Sequence, residues 1–316
     1  MFDLYQLRRA AELIHQSVPP TPQYAWPLLA KRLGCEVWVK HENHTPAGAF
    51  KVRGGLLYVD GLIKREPHLP GLITATRGNH GISLAMAAGK VGLPLQILVP
   101  EGNSMEKNAA MRACGAEVIE YGRDFDTARL RAAELAEANG WHFVPSLHPD
   151  LIRGVATYAL ELLEAVPKLR RVYVPIGLGS GICGMIRTRD LLGLDTEIIG
   201  VVSSAADAYA QSFEQGRLVT TDTANTFADG MACRMPAPDA LEIIREGAAR
   251  IVRVSDAEIR QAICALHEDT HNLAEGAGAA ALAAAIQERE HNRGERIAVV
   301  LSGGNVDRPL LAGIIG

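Results

Sequence analysis

The sequence predicts an α/β protein built on two doubly wound parallel sheets. Short apolar runs typical of buried strands alternate along the chain with segments of helical periodicity. The connections between these segments are short, as in sheets whose strands are joined by crossover helices. The chain has 316 residues, enough to bury a sizeable core, and its many strands favour two sheets over one.

The chain opens with a predicted helix over residues 2–16, which ends before the prolines that start at Pro19. Strands are predicted at 37–39, 72–75, 95–99, 117–121, 142–145, 171–176, 197–202 and 297–301. Helices are predicted near 80–91, 105–114, 126–139, 155–166, 181–192, 239–247, 256–271 and 277–285. Ser255 and Glu258 have the spacing of a capping box. The least structured stretch, 203–238, is interpreted as an excursion rather than a domain boundary.

Composition narrows the class of protein. The net charge is −4 with no basic block, so we expect no nucleic-acid partner. No apolar run reaches the length of a membrane span, and the first residues lack the basic and apolar regions of a signal peptide. We therefore expect no membrane partner. The five cysteines are scattered without a C-x-x-C pair, which favours reduced thiols and a cytoplasmic location.

After the strand at 37–39, a proline and a run of small residues lead to Lys51, which stands beside the aromatic Phe50. A lysine amine forms Schiff bases with carbonyl compounds once it has lost its proton. Burial, or a cationic neighbour such as Arg53, would favour that loss. Lone lysines are usually on the surface, so the interpretation depends on the other motifs.

The segment after the strand at 72–75 combines a predicted helix start with polar side chains. Backbone N–H groups at a helix N-terminus bind anions, so this loop could hold a carboxylate or a phosphate. The alternative is a plain strand-to-helix turn with Asn79 as its cap. The residues of the loop are Thr76, Arg77, Gly78, Asn79, His80 and Gly81.

A glycine-rich segment follows the strand at 171–176 and begins Gly177, Leu178, Gly179, Ser180, Gly181. Its alternating glycines leave backbone amides free to surround a phosphate, and Ser180 adds a hydroxyl. Residues 179–184 also match the dinucleotide pattern G-x-G-x-x-G, which needs an acid at the end of the next strand. That strand runs into two serines instead, so a single phosphate group fits better. A tight turn without a ligand is the alternative.

The last predicted strand ends in a segment of small residues that runs Ser302, Gly303, Gly304, Asn305. Ser302 stands where a small hydroxyl would face a ligand, and the two glycines allow close approach of the backbone. By itself this segment is equally typical of a turn.

Residues 267–271 match H-E-x-x-H, the helix motif of zinc proteases, and Glu290 has a suitable spacing for a third ligand. On a helix, His267 and His271 would share a face. A zinc site would leave the lysine and phosphate motifs unexplained, and a glycine-rich loop starts at Glu275. We therefore favour a solvated polar helix face and expect no metal.

Taken together, the motifs suit pyridoxal 5′-phosphate, which needs a Schiff-base lysine, a phosphate cradle, an aromatic neighbour and a small hydroxyl. Nearly the full chain resembles the fold-type II pyridoxal-phosphate enzymes, in the threonine/serine dehydratase and serine racemase branch, whose fold is like that of the tryptophan synthase β subunit. Six motifs match in the family's order: Phe50-Lys51, Gly78-Asn79-His80, the glycine cradle, Ala228-Asp229-Gly230, Glu275-Gly276-Ala277-Gly278 and Ser302-Gly303-Gly304-Asn305.

The resemblance implies a role for each residue of these motifs. Lys51 would hold the cofactor as a Schiff base and remove the Cα proton of the substrate. Ser302 would pair with the pyridine nitrogen, and a serine there gives a moderate electron sink that favours prompt loss of a β-substituent. The other cofactor contacts would come from Phe50, from Asn79 at the 3′ oxygen, and from Gly177, Leu178, Gly179, Ser180 and Gly181 at the phosphate. The substrate carboxylate would bind to Thr76, Arg77, Gly78, Asn79 and His80.

The implied reaction is α,β-elimination from a 3-hydroxy amino acid such as L-threonine or L-serine, which gives a 2-oxo acid and ammonia. Arg77 departs from the family pattern: racemising relatives have a serine as second base there, and an arginine is always protonated. Its fork suits a second anionic group, as in 3-hydroxyaspartate, or an unusual substrate such as hydroxyectoine. Alternatively, Arg77 pairs with an internal acid and points away. A pyridoxal-phosphate carrier without turnover is the alternative from another class.

The resemblance also implies the organisation of the chain. A small substrate-loop domain, 71–148, would be inserted in a large cofactor-binding domain made of 1–70 and 149–316. We expect a homodimer that acts on a small amino acid. Because the sequence stops soon after Ser302, we expect no C-terminal effector domain and no feedback through one.

Overall fold

A computed structural model describes residues 1–316 and contains ten strands. In chain order these are β1 (Gln23–Ala25), β2 (Glu36–His41), β3 (Leu72–Ala75), β4 (Leu95–Val99), β5 (Glu117–Glu120), β6 (His142–Phe143), β7 (Arg171–Pro175), β8 (Glu197–Ser203), β9 (Ala248–Val254) and β10 (Arg296–Leu301). They form a six-stranded sheet with the order β1-β2-β10-β7-β8-β9 and a four-stranded sheet with the order β5-β4-β3-β6. Every pairing is parallel except that of β1 with β2. The prediction of two doubly wound parallel sheets is therefore confirmed.

Fourteen helices connect and cover the strands. They are α1 (Leu4–His15), α2 (Pro27–Leu33), α3 (Lys51–Arg65), α4 (Asn79–Lys90), α5 (Met105–Ala113), α6 (Phe125–Asn139), α7 (Pro149–Ala165), α8 (Ser180–Leu191), α9 (Ala208–Gln215), α10 (Pro238–Gly247), α11 (Asp256–Thr270), α12 (Gly276–Gln287), α13 (Arg289–Asn292) and α14 (Arg308–Ile315). Two short 3-10 turns lie at Glu42–His44 and Asp229–Met231. None of the helices has both the length and the apolar character needed to cross a bilayer.

Several predicted elements agree with the structure in detail. Ser255 caps α11 as predicted: its side chain accepts the N–H of Glu258, whose carboxylate accepts the N–H of Ser255. The alanine-rich run becomes α12, which is buried along most of its length in the large sheet's core. The strand predicted at 142–145 is shorter, since β6 ends at Phe143.

The structure also contains elements that the sequence reading missed. These are β1, α2, α3, β9, α13 and α14, together with α9 inside the stretch 203–238 interpreted as an excursion. The most important for function is α3, because Lys51 is its first residue rather than part of a loop. Gly54 and Gly55 lie inside this helix, where glycine normally lowers stability. A Cβ on Gly54 would come within 2.8 Å of the Leu151 carbonyl oxygen, so close packing of α3 on α7 requires the glycine.

The segments predicted to carry chemistry all follow the carboxyl ends of parallel strands. Residues 42–51 follow β2, residues 76–80 follow β3, residues 177–181 follow β7 and Ser302 follows β10. In open α/β sheets the crevice outside these strand ends is where ligands bind. The topology therefore brings four distant parts of the sequence to the carboxyl edges of two sheets.

Candidate active site

Lys51 begins α3, and its amine lies 5.2 Å from the centre of the Phe50 ring. Burial lowers the pKa of this amine to about 8, although the nearby Glu275 carboxylate acts in the opposite direction. Arg53 does not contribute as a cationic neighbour, because its guanidinium bonds to Glu42 and Glu161 instead. Burial, and not a cationic neighbour, is therefore the cause of the lowered pKa of Lys51. Roughly a tenth of Lys51 is therefore unprotonated at pH 7, and this is the form that attacks a carbonyl.

The loop after β3 presents the start of α4 to the same region. Gly78 is the N-cap of α4, so Asn79 is the first helical residue and not the cap. The Thr76 hydroxyl accepts the N–H of Gly78 at 3.0 Å, which holds the turn. Arg77 is exposed, and its guanidinium lies 3.6 Å from a carboxylate oxygen of Asp229. Backbone amides at this helix start are suited to a carboxylate.

His80 is buried in this loop and has an unused nitrogen. Burial lowers the pKa of its imidazole to about 3, helped by the charge of Lys51 and opposed by a hydrogen bond to the backbone of Pro145. The ring is therefore neutral, and its Nε2 is buried without a partner. Buried polar atoms are normally hydrogen-bonded, so this nitrogen indicates that a ligand or water belongs beside it.

The glycine cradle joins β7 to α8. Gly179 is the N-cap of α8 at a φ of 100°, a left-handed conformation that favours glycine, and Ser180 is the first helical residue. A Cβ on Gly177 would meet the Gly230 carbonyl oxygen, so this position also excludes larger residues. A Cβ on Gly181 would lie 3.7 Å from the Phe50 ring. The cradle and the lysine segment thus lie close together.

Ser302 lies against the lysine segment from the other side. It is 3% exposed, and its carbonyl oxygen accepts the N–H of Phe50 at 3.0 Å. An isolated β-bridge joins Ala49 to Gly303. The close backbone approach predicted from the two glycines is therefore observed.

Four further side chains complete the site, and sequence reasoning gave none of them a role. Glu275 accepts a hydrogen bond from Asn79 at 2.6 Å. Lys107, from α5, lies 3.5 Å from Glu275 and 3.9 Å from Asp229. Asn305 donates to Asn79 at 2.9 Å. Glu275, Asp229 and Asn305 lie inside motifs that match the family, and this position could have indicated that they belong to the site. Nothing in the sequence indicates that Lys107 does.

These residues fit pyridoxal phosphate. The amine of lowered pKa suits its aldehyde, and the open amides at the start of α8 suit its phosphate. The unpartnered Nε2 of His80 and the buried Ser302 are polar groups available to a ligand. Lys51, Asn79, Ser302 and the cradle 177–181 would hold the cofactor.

The zinc motif does not form a comparable centre. His267 and His271 are both exposed, their rings are 6.3 Å apart, and His271 lies beyond the last residue of α11. Glu268 pairs with Arg32 at 2.9 Å. No group of three His, Cys, Asp or Glu side chains in the structure is placed to hold a metal ion. These residues form a solvated polar surface.

Comparison with known proteins identifies the family of the chain. Residues 14–303 match the family model described as pyridoxal-phosphate dependent enzyme. The chain is 37% identical to an L-threonine ammonia-lyase of Geobacter sulfurreducens, over 88% of this chain and 69% of the relative. It is 33% identical to an L-threo-3-hydroxyaspartate ammonia-lyase of Saccharomyces cerevisiae, over 97% and 94% of the two chains.

A solved structure shows the same fold over nearly the full length. The processed form of threonine deaminase isoform 2 from Solanum lycopersicum superposes with a TM-score of 0.90 at 29% identity, covering 99% of this chain and 93% of that one. The chain therefore belongs to the pyridoxal-phosphate dependent enzyme family, in its fold-type II threonine/serine dehydratase branch, and is a pyridoxal-phosphate dependent lyase.

Proposed function

We propose that the chain is an ammonia-lyase that converts a 3-hydroxy amino acid, such as L-threonine or L-serine, into a 2-oxo acid and ammonia. The observation that carries this proposal is that the residues directly before Lys51, Ala49 and Phe50, lie beside the glycine cradle and the Ser302 segment. Elimination releases one water and hydrolysis of the resulting enamine consumes one, so the net products are the oxo acid and ammonia.

Different residues of the chain have different roles in this reaction. Bound pyridoxal phosphate supplies the electron sink that makes the Cα proton of the substrate acidic. The loop that leads into α4, residues 76–80, binds the substrate carboxylate through its backbone amides. Lys51, with its amine of lowered pKa, accepts the Cα proton. Ser302 would offer a neutral hydroxyl to the pyridine nitrogen of the cofactor, and Asn79 would donate to its 3′ oxygen.

Arg77 supports a second candidate substrate class with an acidic side chain, such as 3-hydroxyaspartate. Its guanidinium faces Asp229 at 3.6 Å, which is beyond hydrogen-bonding distance, and remains 49% exposed. A guanidinium held so loosely at the substrate loop can turn to a second substrate carboxylate. Because Arg77 has no proton-accepting form, it cannot serve as a second base, and racemisation is disfavoured.

The test is the visible spectrum of the purified protein before and after addition of L-threonine, L-serine and L-threo-3-hydroxyaspartate in turn, with 2-oxo acid assayed in parallel. A yellow protein whose spectrum changes while oxo acid accumulates is the expected result. The best substrate then distinguishes the two candidates. A yellow protein inert to all three would contradict the proposed function but not the cofactor.

We also propose that the chain forms a homodimer in the cytoplasm, with a substrate-loop domain over 71–148. Strands β3 to β6 all come from that range, and all five cysteines are free thiols, which supports a reducing compartment. Sedimentation equilibrium tests the dimer, and limited proteolysis near residues 70 and 148 tests the division into domains.

A further inference from the structure

The amide of Asn79 belongs to a hydrogen-bond chain whose two ends can only accept. At one end, Asn305 Nδ2 donates to the carbonyl oxygen of Ala47 at 2.8 Å and to Asn79 Oδ1 at 2.9 Å. At the other end, Asn79 Nδ2 donates to Glu275 Oε1 at 2.6 Å. Since a carbonyl and an ionised carboxylate have no hydrogen to give, the acceptors at the two ends fix the orientation of both amides. These hydrogen bonds use one N–H of the Asn79 amide and leave its other N–H free for a ligand.

The orientation of the Asn79 amide depends on the charge of Glu275. That residue is 6% exposed, and burial raises the pKa of its carboxyl, while Lys107 at 3.5 Å favours the ionised form. A protonated Glu275 could donate to Asn79 Oδ1, and the amide would then turn over. Lys107 is itself 8% exposed and lies beside a second carboxylate, that of Asp229. Lys107 thus favours the ionised, accepting form of Glu275 and opposes the effect of burial.

Close backbone contacts fix the two ends of the chain in space. A Cβ on Gly303 would come within 2.5 Å of Glu275 Oε1, and a Cβ on Gly48 would meet Asn305 Oδ1. The N–H of Glu275 donates to the Gly303 carbonyl oxygen at 3.1 Å. Gly48 precedes Lys51 by three residues. The carboxylate and the amide are therefore held against the same backbone that places the lysine.

We propose that Glu275 is a positioning residue, which holds the Asn79 amide so that its free N–H is offered to bound pyridoxal phosphate. Glu275 acts through Asn79 and not by direct contact with the substrate. The inference rests on the cofactor-binding role of Asn79 in the proposed function.

A double-mutant cycle tests this coupling. The variants are Glu275→Gln, Asn79→Ala and the two combined, and the readouts are the dissociation constant for pyridoxal phosphate and the position of the visible band. A Gln of the same size can present either its oxygen or its NH₂ to Asn79, so it no longer fixes the amide. We expect Glu275→Gln to weaken cofactor binding about tenfold alone, and less than about twofold when Asn79 is already Ala. Both single variants are expected to shift the band in the same direction.

Two further variants complete the design. Glu268→Gln removes an exposed carboxylate at the protein surface and is expected to change neither readout. Asn305→Ala breaks the chain at its other end and serves as the test if Glu275→Gln fails to fold, with the same loss of effect expected in the Asn79→Ala background. Equal weakening in both backgrounds, or unchanged binding, would overturn the inference. A wild-type protein that binds the cofactor but turns over no hydroxy amino acid would contradict the proposed function alone.

Discussion

Arg53 and Glu161 form a two-pronged ion pair inside the protein, with Arg53 Nη1 2.6 Å from Glu161 Oε1 and Nη2 2.9 Å from Oε2. The same guanidinium bonds to Glu42, whose carboxylate is wholly buried. Lys40 adds a second buried cation, 2.6 Å from Glu161. Two cations thus face two carboxylates, and this cluster ties the start of α3, where Lys51 lies, to α7.

Replacing Arg53 with Met is expected to destabilise the protein by about 3 kcal/mol or more, because two buried carboxylates lose their main partner. Urea unfolding of the cofactor-free protein measures the loss. The matched control is Arg8→Met, which breaks the exposed pair between Arg8 and Glu164 on the same α7. We expect the control to cost less than about 1 kcal/mol. Equal costs for the two variants would contradict the importance given to the buried cluster.

Replacing Lys51 with Ala is expected to abolish covalent attachment of pyridoxal phosphate and to lower activity at least about a thousandfold, since attachment and proton transfer are both lost. Borohydride reduction followed by peptide mass spectrometry measures the attachment and locates the modified lysine. The exposed Lys64 gives the control, and Lys64→Ala should retain the label and the activity. A label that persists in Lys51→Ala would assign the attachment to another lysine.

The lowered pKa of Lys51 predicts how cofactor attachment depends on pH. Only the unprotonated amine attacks an aldehyde, and its pKa is about 8 instead of the ordinary 10.5. The rate at which cofactor-free protein combines with pyridoxal phosphate should therefore rise about tenfold per pH unit below 8 and level off above it. Stopped-flow absorbance measures the rate. A rate that still climbs tenfold between pH 9 and 10 would show that the amine is not desolvated.

Two buried histidines predict loss of stability in acid. Burial lowers the pKa of His80 to about 3 and that of His41 to about 4, whereas both titrate near 6.5 once unfolded. Below pH 6.5 the unfolded chain takes up protons that the folded protein does not, so stability falls as the pH falls. Between pH 7 and 5 each histidine should remove up to about 2 kcal/mol from the free energy of unfolding.

Urea unfolding of the cofactor-free protein at pH 7, 6 and 5 measures this decline. The variant His80→Asn should make the decline shallower, because one of the two groups no longer titrates. Removing the exposed His68 by His68→Asn gives the control and should leave the slope as it is in the wild type. An unchanged slope in His80→Asn would show that this histidine is not the source.

Replacing Arg77 with Ser should change specificity more than stability. The pair between Arg77 and Asp229 is half-exposed and long, so its loss should cost less than about 1 kcal/mol. If Arg77 binds a second carboxylate, the ratio of kcat/KM for 3-hydroxyaspartate to that for threonine should fall at least tenfold. Steady-state kinetics with both substrates measures the ratio, and Arg123→Ser, at an exposed arginine, is the control. An unchanged ratio would rule out Arg77 as the selecting group.

The sequence predicts most of the sheet framework because buried parallel strands are continuous apolar runs. It fails for β9, whose residues 248–254 include Arg250 and Arg253, since these charges break the pattern of a buried strand. They are accommodated by ion pairs with Glu288 and Glu214, which are distant in the chain. The helix α3 was missed because Gly54 and Gly55 signal a break, and only packing against neighbouring helices explains them.

The sequence predicts those parts of the site that lie in recognisable motifs. Lys51, the loop 76–80, the cradle and Ser302 each follow a strand end, and the fold brings them together without further information. Lys107 could not be found in this way, because its position opposite Glu275 depends on how α5 packs against the start of α4. The contrary case is Arg53: proximity in sequence suggested an influence on Lys51, whereas its side chain extends toward α7.

The position of β10 has a consequence for the order of assembly during synthesis. It is the last strand in the sequence, yet it lies in the middle of the six-stranded sheet, between β2 and β7. The four-stranded sheet, by contrast, uses only residues 72–143 and can pair its strands as soon as they emerge. Until β10 arrives, β2 has no parallel partner and Ser302 is missing from the lysine segment. A nascent chain can therefore complete its small sheet early, but it becomes able to hold a cofactor only after its final strand has been made.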